Sequence, residues 1–250
     1  MPARKQTTRK SKTTSEPHNA IEKSLSFNWS TDFTIKNSFH LNPLHKEFKD
    51  CCMADQTKIA FVDGPAGTAK SYLAVLSALQ CVKEQKVDSI IYIRSVIESA
   101  SRSIGALPGE IDDKFGPYAM PLMEKVTEIC GDNVAAILKS HDVLSAVPVN
   151  FVRGLTFNRA FVIVDEVQNM TLEEATTILT RFGKDSRYVV CGDSKQADIG
   201  KLSCINKLFD AFDNDEAKSN GINVFHFGEN EIVRSKILKY ITKVIEKIPR

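Results

Sequence analysis

The chain has 250 residues, 42% of them hydrophobic, and a formal net charge of +2. This composition suits one domain of about 200 residues plus a tail, and it excludes a molecule that binds nucleic acid simply by being basic overall. No apolar run reaches about 18 residues, so no membrane-spanning helix is expected.

Residues 1–25 open with MPARKQTTRKSKTTSEPHNAIEKS, rich in Lys, Arg, Thr and Ser. So little apolar surface cannot offset the entropy of ordering, which predicts a disordered basic arm. Arg4, Lys5, Arg9, Lys10 and Lys12 can touch nucleic-acid phosphates nonspecifically or simply stay solvated.

Residues 26–250 read as a single domain. From about residue 40, short apolar runs alternate with amphipathic helical patterns: KIAFVDG, AKSYLAVLSALQCV, SIIYIRSV, RAFVIVDE, TLEEATTILTRFG and RYVVCGD. This alternation predicts an α/β fold, a mostly parallel sheet with helices on both faces. Gly64, Asp165 and Gly192 each fall where a buried strand ends, and ligands collect at such ends in open sheets. Residues 105–147 read as a helical insertion between core strands. Near the end, ENEIVRSKILKYITKVIEKI sets Ile232, Val233, Ile237, Leu238, Ile241, Val244, Ile245 and Ile248 on one helical stripe. Cys51, Cys52, Cys81, Cys130, Cys191 and Cys204 form no C-x-x-C pair. That argues against zinc, and without a secretory signal they read as reduced residues of a cytoplasmic protein.

FVDGPAGTAKSYLAVLSAL, Phe61 to Leu79, follows the phosphate-binding pattern G-x-x-x-x-G-K-[ST] with alanine in place of the glycine that usually precedes the lysine. Gly64, Pro65, Ala66, Gly67, Thr68, Ala69, Lys70 and Ser71 form the predicted loop. Its amides and the helix N-terminus attract phosphate, Lys70 reaches the β- and γ-phosphates, and the Ser71 hydroxyl is a Mg²⁺ ligand. Ala69 adds a Cβ where a left-handed backbone is costly, so binding is expected to survive but weaken. The loop by itself also fits an ordinary strand-glycine-helix junction.

AFVIVDEVQNM adds an apolar strand ending in Asp165 and Glu166, one carboxylate to hold the shell of Mg²⁺ and one to polarise an attacking water. The pair is not needed as a helix cap, because Thr171 can cap the helix that follows. RYVVCGDSKQADI ends a strand in Gly192 and Asp193, with Gln196 placed to sense the terminal phosphate.

Taken together, GPAGTAKSYLAV, ALPGEIDDKFGPYAMPL, FVRGLTFNRAFVIVDEVQN, LTRFG, VVCGDSKQADI and EIVRSKI make the chain resemble the PhoH family of phosphate-starvation-associated P-loop ATPases, in a phage-type form. The six blocks occur in order from about Leu41 to the C-terminus. The resemblance implies a RecA-like P-loop NTPase core with an extra strand between the phosphate-loop strand and the acidic strand, related to superfamily 1 helicases. It implies hydrolysis of ATP with Mg²⁺ and a role in RNA metabolism; a phage-encoded chain would work in the host cytoplasm. By position, Gly64 to Thr68, Lys70 and Ser71 are the implied phosphate loop, Asp165 and Glu166 the acids, and Gln196 and Arg234 fall on the remaining motifs. Two departures stand out. Ala69 replaces glycine, and His45 in NPLHKEF stands near a glutamine that reads adenine in relatives, which leaves GTP open beside ATP.

Hydrolysis by such a core uses an arginine on the transferring phosphoryl group. After Gln196, room remains for about one strand and two helices, too little for a second RecA-like domain. Arg234 is therefore expected to act on a neighbouring subunit's nucleotide in a head-to-tail ring, a hexamer if the resemblance holds. Arg234 can instead cap its helix or pair with Glu229 or Glu231, and Arg153 and Arg181 compete for the role. Arg94, Arg102, Lys114 and Tyr118 can line a channel for RNA or single-stranded DNA. Against the strand-coupled ATPase stand a nucleotide-dependent assembly module with little turnover and, less well matched to Glu166, a P-loop kinase.

Overall fold

The computed structural model describes residues 33–95 and 111–233, the backbone alone over 111–117, and the helical positions 237, 240, 241 and 244. The arm at residues 1–25 lies outside them. Six strands, β1 (Ile59–Asp63), β2 (Ser89–Arg94), β3 (Leu144–Pro148), β4 (Ala160–Asp165), β5 (Arg187–Gly192) and β6 (Ile222–His226), form one sheet among the described residues. Their order is β3-β2-β4-β5-β1-β6, and every pairing is parallel. The helices are α1 (Pro43–Met53), α2 (Lys70–Lys83), α3 (Ile111–Cys130), α4 (Asp132–Ser140), α5 (Leu172–Leu179), α6 (Ile205–Phe212) and α7 (Asp215–Ser219).

The period of two along each strand builds two cores. Ala60, Val62, Phe161, Ile163, Val189 and Cys191 face a layer containing Phe48 of α1, Leu73 of α2, Leu122 of α3 and Leu138 of α4. Phe61, Val162, Val164, Tyr188 and Val190 face the opposite layer with Ile178 of α5 and Leu208 of α6. Both faces are covered, which is why the central strands read as continuous apolar runs. Each Val, Leu, Ile or Phe among them contributes about 1.5–3 kcal/mol on burial, so the strand ends that carry the site stand on a rigid floor.

The sheet order seats β5 between the phosphate-loop strand β1 and the acidic strand β4, as a RecA-like core requires. Register then aligns the strand ends along one edge: Asp63 lies opposite Gly192, and Arg94 opposite Asp165. One stretch differs from the sequence reading. α3 and α4 occupy part of residues 105–147, but Leu144–Pro148 is the edge strand β3. With Ser145 in it, a proline at its end and its middle half-exposed, it carries no apolar run, and only pairing with β2 reveals it. All six cysteines are free, and Cys52, Cys81, Cys191 and Cys204 are buried. No helix among the described residues is long and apolar enough to cross a membrane.

Candidate functional site

The loop after β1 is closed by its own groups. Gly64 N–H donates to Gly192 O at 3.2 Å, and a Cβ on Gly64 would come within 2.7 Å of Phe227 Cβ, so the chain passes here only as glycine. The buried Thr68 hydroxyl donates to Pro65 O at 2.8 Å. Gly67 turns at φ 88°, and Ala69 follows at φ 63° and ψ 19°, directly before α2. No side chain caps α2, which leaves its first-turn N–H groups to an anion.

The unusual alanine thus occupies a left-handed position that costs an L-residue about 1–2 kcal/mol. Ala69→Gly is expected to relieve that strain, less the larger entropy glycine loses on folding, for a net gain of about 0.5–1 kcal/mol. Thermal melting checks this: a lower melting temperature for the variant would mean that the loop is not strained at this residue.

Lys70 folds back on the loop. Its ammonium donates to Gly64 O, to Pro65 O at 3.0 Å and to Thr68 Oγ1 at 3.5 Å. Ser71 Oγ donates to Asp165 Oδ1 at 2.7 Å, so the two side chains proposed as metal ligands already meet. Asp165 Oδ2 accepts from Tyr92 Oη at 2.5 Å, and Asp165 is buried. Burial, and next the charge on Asp165, hold the Tyr92 phenol well above its ordinary value, so it stays a donor and fixes the carboxylate from below. These residues suit a Mg²⁺ ion: a hydroxyl and a hydrogen-bonded carboxylate, both hard oxygen donors, at the mouth of a phosphate loop.

Glu166 sits at φ 57°, a strained position that turns its side chain away from the strand. Gln168 Nε2 donates to Glu166 Oε2 at 2.6 Å, and Arg94 Nη2 lies 3.9 Å from Glu166 Oε1. Burial, then the neighbouring Asp165, push the Glu166 carboxyl above its ordinary value, against the pull of Arg94, Gln168 and Lys70. A carboxylate tuned upward in this way accepts a proton more readily, as a general base must. Gln168 is itself buried, and its Oε1 accepts from Asp193 N–H at 3.0 Å, so one amide braces Glu166, just after β4, against Asp193, just after β5. Asp193 carries a buried Oδ2 without a hydrogen-bond partner, and burial pushes its carboxyl up.

A cavity of about 270 Å³ joins these groups, lined by Lys70, Ser71, Asp165, Glu166, Gln196 and, from α3, Lys125. Of the predicted loop, Ala66, Gly67 and Ala69 line it as well. Thr171 does cap α5, in a capping box with Glu174, which frees the acidic pair from that duty. His45 is not in the cavity: its ring is buried between Phe39 and Phe227, at 6.0 and 5.2 Å, because the first turn of α1 points it into the core. Arg153 is exposed, and Arg181 donates to Thr177 O at 3.3 Å; neither lines the cavity. Arg102, Arg234 and the side chain of Lys114 lie outside the described residues. Sequence reading passed over Tyr92, Gln168 and Lys125. The Q-N after the acidic pair was the available signal for Gln168, and the lone hydroxyl inside SIIYIR for Tyr92.

A family model described as "PhoH-like protein" matches residues 42–246. A PhoH-like protein of Bacillus subtilis is 31% identical over 194 residues, covering 76% of this chain and 58% of that one. One from Mycobacterium tuberculosis is 33% identical over 75% of this chain and 52% of its own length, and Protein PhoH of Escherichia coli is 30% identical over 73% and 51%. The chain spans about half the length of these relatives. Among solved structures, FlhF complexed with GMPPNP and Mg(2+) is similar at 14% identity and a TM-score of 0.21, over 76% of this chain and 79% of that one.

Proposed function

As the chain belongs to the PhoH-like protein family, we propose that it is an oligomeric ATPase that hydrolyses ATP with Mg²⁺ and couples turnover to binding or remodelling RNA or single-stranded DNA. The observation that carries the hydrolytic part is the 2.7 Å bond from Ser71 to Asp165, made in the cavity that Lys70 and Glu166 also line. Ser71 and Asp165 would hold Mg²⁺, which would supply charge neutralisation for the phosphates. Lys70 then leaves its loop carbonyls for the β- and γ-phosphates, Glu166 takes the proton of the attacking water, and Gln196 donates to the terminal phosphate. Tyr92 and Gln168 hold the two acids in place.

Coupling to a strand is supported by Arg94, which stands at the end of β2 within 3.9 Å of Glu166, so a phosphate that recruits this guanidinium also changes the field at the base. The proposed oligomer is a head-to-tail ring in which Arg234 would act on a neighbouring subunit's nucleotide. A switch with little turnover is the second reading, favoured by the left-handed Ala69. Phosphate release from ATP and from GTP, with and without single-stranded RNA or DNA, separates them. Mg²⁺-dependent release from ATP that rises with a strand is expected; nucleotide binding with no release under any of these conditions leaves the switch.

A further inference from the structure

We propose that Lys125, on α3, contacts the terminal phosphate of the bound nucleotide and supplies a second cation from the chain's own insertion. This rests on the nucleotide-binding reading above. Lys125 lines the same cavity as Lys70, Ser71 and Asp165, although α3 lies far along the chain from the loop. Among the described residues it makes no ion pair with a carboxylate. Its ammonium donates instead to Pro121 O at 3.2 Å, one turn back on its own helix. A neutral carbonyl is a weaker partner than a phosphate oxygen, so an arriving anion takes the ammonium over.

The position of the stem is fixed. Leu122, Val126 and Ile129 on the same helix are buried, and Lys36 N–H donates to Ile129 O at 3.0 Å, so α3 cannot carry Lys125 away without opening the core. The electrostatics agree. Burial and then Asp165 push up the thiol of Cys191, beside Gly192, while Lys70 and after it Lys125 pull the other way, which sets both ammonium groups on the same strand end. The cavity thus offers two cations against Asp165, Glu166 and Asp193, Lys125 has none of these carboxylates as its partner, and a triphosphate supplies the charge that it lacks. A diphosphate, one phosphoryl group shorter, leaves Lys125 with its carbonyl.

The test compares binding of a non-hydrolysable ATP analogue and of ADP to wild type, Lys125→Met, Lys125→Gln, Lys125→Arg and Lys70→Ala, with turnover and melting measured beside it. The neutral variants are expected to bind the triphosphate analogue about tenfold more weakly, to bind ADP as wild type does, and to turn over about 10²-fold more slowly; Lys125→Arg should recover most of both. Unchanged discrimination and turnover in either folded neutral variant overturns the proposal, as does an equal loss of both nucleotides. A wild type that binds neither nucleotide better than Lys70→Ala sinks the nucleotide reading itself, and Lys125 with it.

Discussion

Glu166→Gln is expected to bind nucleotide as the wild type does and to hydrolyse it about 10² to 10⁴ times more slowly, the usual worth of a general base. The substitution keeps the shape of the side chain and an oxygen for Gln168 Nε2 to reach at the 2.6 Å contact, so lost turnover reports lost proton acceptance. Because burial and Asp165 raise the carboxyl, the acid limb of the rate should lie above the ordinary carboxylate range, with activity falling as pH drops through it. The sign for stability runs the other way. A carboxyl whose value is raised by folding contributes its stability in the protonated form and loses it as pH rises through the raised value. Glu166→Gln, neutral throughout, should therefore melt above the wild type at neutral pH. A glutamine variant with wild-type turnover would remove Glu166 from the chemistry.

Lys70→Ala is expected to lose nucleotide binding by about 10²-fold or more, since two or more charge-assisted bonds of about 1.5–3 kcal/mol each disappear. The loop itself should survive, because Thr68 to Pro65 O and Gly64 to Gly192 O close it without the lysine. The silent variant then serves to locate the arginine. Under the proposed ring, Arg234→Ala chains are also silent, yet mixing them with Lys70→Ala chains restores phosphate release, each supplying what its neighbour lacks. The geometry sharpens the question: Val233 N–H donates to Gly67 O at 3.0 Å, so the segment leading to Arg234 starts on the chain's own phosphate loop. No rescue on mixing, with Arg234→Ala inactive alone, would mean that the arginine serves its own nucleotide.

The parts of this molecule that were legible in its sequence are those whose cause is local. Ile59–Asp63 and Ala160–Asp165 are buried on both faces, so their apolar runs had to be strands, and glycine spacing marked the loop. β3 was hidden because an edge strand needs apolar residues on fewer sides. The braces were hidden for another reason: Tyr92 meets Asp165 across 73 residues and Gln168 meets Asp193 across 25. No pattern of neighbours encodes such meetings, which depend on sheet order and register. His45 shows the converse, a polar letter near a familiar motif that the first turn of a capped helix buries among aromatic rings.

The seat of β5 between β1 and β4 also sets a distance. Neighbouring strands lie about 4.8 Å apart, so the ends that carry the lysine loop and the carboxylates stand about 10 Å from each other. The intervening strand keeps the two backbones apart, so the loop reaches the acidic strand end by a side chain, Ser71 Oγ to Asp165 at 2.7 Å, while Lys70 rests on its own loop carbonyls, and the sheet acts as a spacer between main chains that side chains must bridge.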